Sequence, residues 1–283
     1  MNFLRNFLAS FLGSLTALIF IISLGFILIA GIASVATFDK NILLGEIPSN
    51  SILNLDLDKD VYDNIPVTQE FEEILGFSPE TIKFLDLINA IELAVDNKDI
   101  KGINLKSQSP KMGWSQALTI RKSLQKFKDK GKFIYSYGDF FSQKGYYLAS
   151  VSDSIFLNPL GNVELRGLGA EVLYYKKLQE KYGFKMEVVR HGKYKSAVEP
   201  YLDDKMSEAN RNQIKSLLNS IWEGIGNQIK LSRKISSENF NEIVDNLDAT
   251  FPENAFRNNI IDGIVSKTQY KFNLKRILGI KSD

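Results

Sequence analysis

The sequence predicts an α/β protein in which a largely parallel sheet is flanked by helices and preceded by one membrane-spanning helix. The first observation behind this prediction is that no charged residue occurs between Arg5 and Asp39. The second is that segments with the alternating pattern of half-buried strands follow one another along the body, with amphipathic helical segments between them. Strands that alternate with helices in this way are typical of parallel sheets.

The uncharged segment runs from Phe7 to Phe38 and contains 32 residues. About 20 apolar residues are enough to span a bilayer, so the segment is long enough for a retained anchor. A cleaved signal peptide is the alternative, because Ser34 to Ala36 resembles a cleavage site. The run is longer than the ~7–15 residues of a signal peptide's apolar core, which favours the anchor. Arg5 precedes the segment, so the short N-terminus is predicted to lie in the cytoplasm and the body outside.

The first half of the body contains the clearest alternation of strands and helices. Residues 60–79 are polar and are predicted to form a loop. The helix over 81–97 has Ser78 or Thr81 available as its cap. The predicted strands are 51–58, 100–107, 132–138 and 154–159, and the predicted helices are 81–97, 114–128 and 142–150.

The pattern changes beyond Gly161, where helices dominate. A strand and turn are predicted first, then a helix from about 170 to 182 and a further strand over 184–194. Ser207 is placed to cap a long helix over 208–230, and Ser236 or Ser237 to cap a helix that ends near 246. Pro252 begins another helix. These elements give a domain organisation of anchor (1–40), linker (41–50) and one body (51–283).

Composition excludes several function classes. The formal net charge of +2 is too small for a dedicated nucleic-acid binder, which usually carries a strongly basic domain. With no cysteine and one histidine, the usual zinc sites cannot form. The carboxylate pairs Asp56/Asp58 and Asp203/Asp204 are of a kind common at strand ends, so no metal is expected. The glycine-containing stretch "GNVELRGLG" matches no phosphate-binding loop, and no cofactor is predicted.

The stretch "VVRHGKYKSAVEPYLDD" gathers Arg190, His191, Lys193 and Lys195 within six residues. It is open to three interpretations: a solvated charged run, a phosphate or nucleic-acid patch, or a lysine that acts as a base. Flanking acids weigh against the phosphate patch. A Ser-His-Asp triad would need His191 as its base, but a lone histidine in a lysine-rich turn is usually a surface residue. Composition alone favours the solvated run.

A catalytic lysine has a demanding requirement, because only its neutral form accepts a proton. With an ordinary lysine pKa of ~10.4, about one molecule in 2,500 is neutral at pH 7. A pKa near 7 needs the ammonium form to be destabilised by roughly 4–5 kcal/mol, through burial or nearby positive charge. Arg190 and Lys193 could supply that charge. Lys193 and Lys195 would share a face if the predicted strand continued to them.

Two stretches resemble a known family: "YYLASVSDSIFLNPLGNVELRGL" and "YYKKLQEKYGFKMEVVRHGKYKSAVEPYLDDKMSE". Both are similar to the N-terminal half of signal peptide peptidase A (protease IV) in its long, two-half form. The resemblance covers essentially the whole chain, and "GKYKSAVEP" is its most diagnostic part. It implies the Clp-protease/crotonase-like fold, a serine–lysine dyad and the digestion of cleaved signal peptides. The family's general-base lysine corresponds to Lys195.

The family's nucleophile does not carry over to this chain. The nucleophilic serine lies in the second half, in a segment resembling "GGxAASGGYY", and the corresponding stretch here is "YGDFFSQKGYYLAS". Alignment on "GYY" puts Gln143 at the serine position and Ser142 one residue away, which is about 100° of rotation on a helix. The glycine pair of the oxyanion hole is also missing, since the chain has "SPKMG" at 109–113.

The resemblance therefore implies a membrane-anchored serine endopeptidase of which this chain supplies the lysine. The expected partners are signal-peptide substrates, the membrane, and either further copies of the chain or a complementing C-terminal half that carries the serine. The expected location is the bacterial inner membrane, with a single span and the body in the periplasm. A fragment, a split gene product and a half that works with a partner chain all remain open. The alternative is a non-catalytic, membrane-tethered assembly subunit, whereas an acyl-CoA enzyme on the same fold is disfavoured by the anchor.

Overall fold

The computed structural model describes residues 2–42, 47–64, 81–189, 191 and 195–279. The N-terminal helix and the body are separate compact units, of which the body begins at Ser49. The N-terminal helix α1 spans Asn2–Ile42. Within it, Phe3–Gly31 is long and apolar enough to cross a membrane, a test that a signal sequence also passes.

A five-stranded parallel sheet forms the centre of the body, with strand order β1-β4-β5-β6-β7. Its strands are β1 (Ser51–Asp56), β4 (Ile100–Lys106), β5 (Phe133–Phe141), β6 (Ser154–Val163) and β7 (Gly263–Ile264). A separate parallel pair joins β2 (Asp60–Tyr62) to β3 (Thr81–Lys83). The remaining described helices are α2 (Phe84–Asp96), α3 (Trp114–Asp129), α4 (Gln143–Ala149), α5 (Lys176–Tyr182), α6 (Glu199–Leu202), α7 (Glu208–Arg233), α8 (Ser237–Asp245), α9 (Pro252–Arg257) and α10 (Lys267–Ile277).

The two faces of the sheet are packed differently. Side chains alternate between faces along a strand, and Ile103, Ile134 and Ile155 bury one face fully in the core that also contains apolar residues of α2, α3 and α4. On the opposite face, Tyr270 of α10 packs its ring against Tyr137 and Phe156. Since a fully buried aliphatic side chain contributes roughly 1.5–3 kcal/mol, the first face supplies much of the stabilisation.

This architecture confirms the predicted α/β class, with a parallel sheet flanked by helices and an apolar helix before it. Four predicted strands occur close to their expected positions, as β1, β4, β5 and β6. The caps of α7 and α8 are also as predicted: Ser207 Oγ accepts from the Asn210 N–H, and Ser236 Oγ from the Asn239 N–H, both at 3.2 Å.

The start of the first body helix was predicted wrongly. Residues 81–83 form β3, which pairs with β2 in the region expected to be a loop, and helix α2 begins at Phe84. Thr81 is therefore a strand residue and not a cap, and Ser78 lies outside the described residues. The parallel pairing of Ile82 with Val61 holds the backbone extended, so hydrogen bonds to a distant segment override the local helical pattern.

The region after β6 also departs from the predictions. Strand β6 continues to Val163, α5 begins only at Lys176, and no strand forms over 184–189. The rest of that predicted strand, apart from His191, lies outside the described residues. Helix α10 was not predicted. Residues 184–187 are exposed, so the apolar alternation there does not reflect burial in a sheet.

Helix α4 can approach the sheet closely only because it contains Gly145. A Cβ atom at this position would lie 2.2 Å from the Ser107 carbonyl oxygen and 2.4 Å from that of Gln108. Both atoms belong to the backbone that follows β4, so neither can move aside easily. The β4–α3 connection and the start of α4 are thereby held in direct contact.

We expect Gly145→Ala to destabilise the body by more than about 2 kcal/mol, because the methyl group overlaps backbone atoms. Gly224→Ala in α7 is the matched control, since a Cβ atom there meets nothing within 4 Å. Removing glycine from a helix interior should instead stabilise by about 0.5–1 kcal/mol. Urea unfolding followed by circular dichroism measures both. Equal stability of the two variants would contradict the close-contact argument.

Candidate functional site

The carboxyl ends of the parallel strands bring several residues that the sequence analysis singled out, although not Lys195, to one edge of the sheet, which is where α/β folds place their sites. Strand β1 leads to Asp58, β4 to the segment 107–113, and β5 to Ser142 and Gln143. At one side of this edge, Lys106 forms ion pairs with Asp56 at 2.8 Å and with Asp58 at 3.5 Å. The hydrogen bond with Asp56 raises the pKa of Lys106. This carboxylate pair therefore has a cation of the chain itself beside it.

Ser142 serves as the N-cap of α4. Its Oγ accepts a hydrogen bond from the Gly145 N–H at 3.2 Å, and its own backbone N–H donates to the Gln108 carbonyl at 2.8 Å. The side chain is half-buried. An oxygen that accepts from the first turn of a helix satisfies an otherwise unpaired backbone donor. The structure thus gives Ser142 a capping role.

Gln143, the residue that the resemblance puts at the serine position, has its side-chain amide hydrogen-bonded to the chain that follows β6. Its Oε1 accepts from the backbone N–H groups of Arg166 and Gly167, each at 3.0 Å. Its Nε2 donates to the Gly167 carbonyl at 2.9 Å. Gly167 has a φ of +86°, in the region that favours glycine. Gln143 therefore fixes a tight turn of the backbone.

The segment 109–113, which the resemblance puts at the oxyanion glycines, has two of its backbone donors engaged by side chains. The Ser109 N–H donates to Asp58 Oδ1 at 2.7 Å, and the Gly113 N–H donates to Gln116 Oε1 at 2.8 Å. An oxyanion hole needs donors that point at the site where negative charge develops. These two donors are instead used for the conformation of the β4–α3 connection.

Lys144 follows Ser142 by two residues and was not singled out by the sequence analysis. Its Nζ donates to the Met112 carbonyl and lies 5.6 Å from the centre of the Trp114 ring. Burial lowers the pKa of Lys144. Both contacts hold its ammonium group against the β4–α3 connection. Its signal in the sequence, a lysine two residues after the serine, is too common to have identified it.

Lys195 lies on a different part of the body, between α5 and α6. The residue is exposed, and it borders an open depression of about 720 Å³ together with His191. Arg190 and Lys193, the two predicted tuning charges, lie outside the described residues. The other described residues that line the depression are Val188, Val189, Ser196, Ala197 and Val198. Ser142 and Gln143 do not line it, so within the described part of the chain this depression is separate from the start of α4.

Comparison with known proteins identifies the family. Residues 126–280 match the model of peptidase family S49, so the chain belongs to that family. It is 35% identical over 175 residues to Protease 4 of Salmonella typhi, an alignment that covers 59% of this chain and 28% of the relative. It is 34% identical over 196 residues to Protease 4 of Haemophilus influenzae, covering 67% of this chain and 32% of the relative. The chain thus spans about a third of the length of these curated relatives.

A solved structure of a membrane-bound stomatin-specific protease is also similar. It has a TM-score of 0.43 and 11% sequence identity, with 80% of this chain and 84% of that chain covered. The fold class of this chain is assigned from its own parallel sheet and not from this similarity.

We expect Gln143→Ala to release the turn at 166–167, because three hydrogen bonds are lost together. The rate of amide exchange at Arg166 and Gly167 should rise at least about tenfold, and the free energy of unfolding should fall by about 1–3 kcal/mol. Hydrogen–deuterium exchange measures the first effect and urea unfolding the second. Gln125→Ala is the control, since the Gln125 amide donates to the exposed carboxylate of Asp129 within α3. Unchanged exchange at 166–167 would show that the Gln143 amide does not hold the turn.

Proposed function

We propose that this chain is the lysine-bearing part of a membrane-anchored serine peptidase whose nucleophilic serine comes from another polypeptide segment. Membership of family S49 supports the reaction class. The observation that carries the proposal is the pairing of two features. Lys195 belongs to a "YKSA" stretch that resembles the family's, and Gln143, which we align with the family's serine, has its amide in backbone hydrogen bonds.

The proposed mechanism is acyl transfer. Neutral Lys195 takes the proton from the hydroxyl of the partner's serine, and the serine oxygen attacks the peptide carbonyl carbon. Collapse of the tetrahedral intermediate breaks the C–N bond, and the amine leaves with a proton from the lysine. Lys195 then takes a proton from water, which attacks the acyl-enzyme. The ester C–O bond breaks, Lys195 returns the proton to the serine oxygen, and the carboxylic acid is released. The proposed substrates are cleaved signal peptides.

The exposure of Lys195 in this chain supports the need for a partner. A lysine in contact with water favours its charged form, and covering it removes solvent and favours the neutral form. The described chain that precedes Lys195 also carries exposed apolar side chains. Of these, Tyr182 and Phe184 are 68% and 56% exposed, and Val189 is fully exposed. We propose that further copies or a complementing half cover this surface.

The same exposed apolar surface favours a second candidate, a membrane-tethered assembly subunit with no catalytic role. The two candidates differ in one outcome. A peptidase half needs Lys195 for turnover once a serine-bearing partner is present, whereas an assembly subunit does not.

Lys195→Ala should lower peptide cleavage by at least about 10³-fold when this chain is mixed with a second half that carries the serine. The substrate is a fluorogenic signal peptide, and casein is an alternative. Lys185→Ala, which removes an exposed lysine of the same region, should leave the rate within about twofold. Full activity of the Lys195→Ala mixture would remove Lys195 as the base and favour the assembly subunit.

We also propose that residues 1–40 anchor the chain in the bacterial inner membrane, with the body (51–283) on the periplasmic side. The chain contains no cysteine, so single cysteines report topology without background. Lys177→Cys in α5 should react with a membrane-impermeant maleimide in intact spheroplasts. Asn2→Cys should react only after lysis. The reverse pattern would place the body in the cytoplasm.

A further inference from the structure

The described segments on both sides of Lys195 are joined by one buried side chain, Gln179 of α5, which is 4% exposed. Its Oε1 accepts from the Met186 N–H at 3.0 Å, on the chain that enters the lysine-bearing segment. Its Nε2 donates to the Tyr201 carbonyl at 2.7 Å, on the chain that leaves it. A single amide group therefore closes the base of this segment.

A buried carboxylate, that of Glu199, attaches the same segment to the start of α7. Glu199 is 2% exposed. Its Oε1 accepts from Ser207 Oγ at 2.6 Å, and its Oε2 accepts from the Ser207 N–H at 3.2 Å and from Asn210 Nδ2 at 3.0 Å. The unpaired N–H groups and the positive dipole end of a long helix favour an anion at this place.

Glu199 is also linked directly to the turn that carries Lys195. Its backbone N–H donates to the Ser196 carbonyl at 3.0 Å, and its carbonyl accepts from the Asp203 N–H at 2.9 Å. The Tyr175 N–H donates to the Pro200 carbonyl at 2.6 Å, and the rings of Tyr175 and Tyr201 stack at 5.6 Å. The turn thus has fixed contacts with both α5 and α7.

We propose that Gln179 and Glu199 are positioning residues that hold Lys195 for proton transfer. A buried carboxylate is costly unless hydrogen bonds satisfy it. Gln179 and Glu199 are polar, so their burial is not explained by the packing of an apolar core. Proton transfer, in contrast, depends on geometry, and a displacement of 1 Å can cost about 10²-fold in rate. The inference rests on the proposed role of Lys195.

The first measurement is hydrogen–deuterium exchange on the full chain in detergent, which needs no partner. Glu199→Ala and Gln179→Ala should each raise exchange at least about tenfold in the described parts of 184–203, and leave strand β5 unchanged. Ser236→Ala is the control, since it removes the 3.2 Å capping hydrogen bond of a different helix, α8. Unchanged exchange in 184–203 for both variants would show that Gln179 and Glu199 do not hold this segment.

The second measurement is peptide cleavage in the mixture with the serine-bearing half. Glu199→Ala should lower kcat by about 10²-fold with KM within threefold. Glu199→Gln, which keeps the shape of the side chain, should recover most of kcat. If Glu199→Ala fails to fold, Gln179→Ala, which is expected to lower kcat likewise, takes its place. Ser236→Ala should keep the wild-type kcat.

The outcomes separate the two proposals. If Lys195→Ala abolishes cleavage while Glu199→Ala and Gln179→Ala keep the wild-type kcat, the positioning role is wrong and the proposed function stands. If Lys195→Ala cleaves normally, the proposed function is wrong, whatever the exchange data show.

Discussion

The close approach of α4 to the chain that follows β4 is the constraint on which the edge of the sheet depends. It requires Gly145, because any Cβ atom would overlap the carbonyl oxygens of 107 and 108. This contact fixes the start of α4, and with it Ser142 as a cap and Gln143 as the residue facing the chain after β6. The hydrogen bonds of Gln143 then determine how that chain leaves the sheet.

The same geometry gives Gln143 a structural role at the start of α4. The glutamine amide satisfies three backbone groups, so the turn at 166–167 is stabilised. Side chains also stabilise the β4–α3 connection, because Asp58 and Gln116 accept hydrogen bonds from its backbone N–H groups. Both features hold the backbone at this edge of the sheet, and the chemistry proposed for the chain lies with Lys195.

Between the helices that surround the sheet, hydrogen bonds of buried polar side chains add to the apolar packing. Arg121 shows this within the core region: its guanidinium donates to the Tyr147 carbonyl, Ser150 Oγ and Ser232 Oγ, and so joins α3, α4 and α7. Burial lowers its pKa to about 10. Gln179 and Glu199 do the equivalent for α5, α6 and α7. Directional hydrogen bonds of this kind hold a segment that buries few apolar side chains of its own.

The sequence by itself determined the α/β class, four strands, the serine caps and the family, because local periodicity and short motifs record burial and backbone capping. It also pointed to Lys195, whose role stays a prediction. Only the tertiary structure decided that 81–83 pairs as a strand, that 184–189 does not, and that Gln143, Gln179 and Glu199 carry the connections. Their partners lie 7 to 24 residues away, and a hydrogen bond between such segments leaves no periodic trace in the sequence.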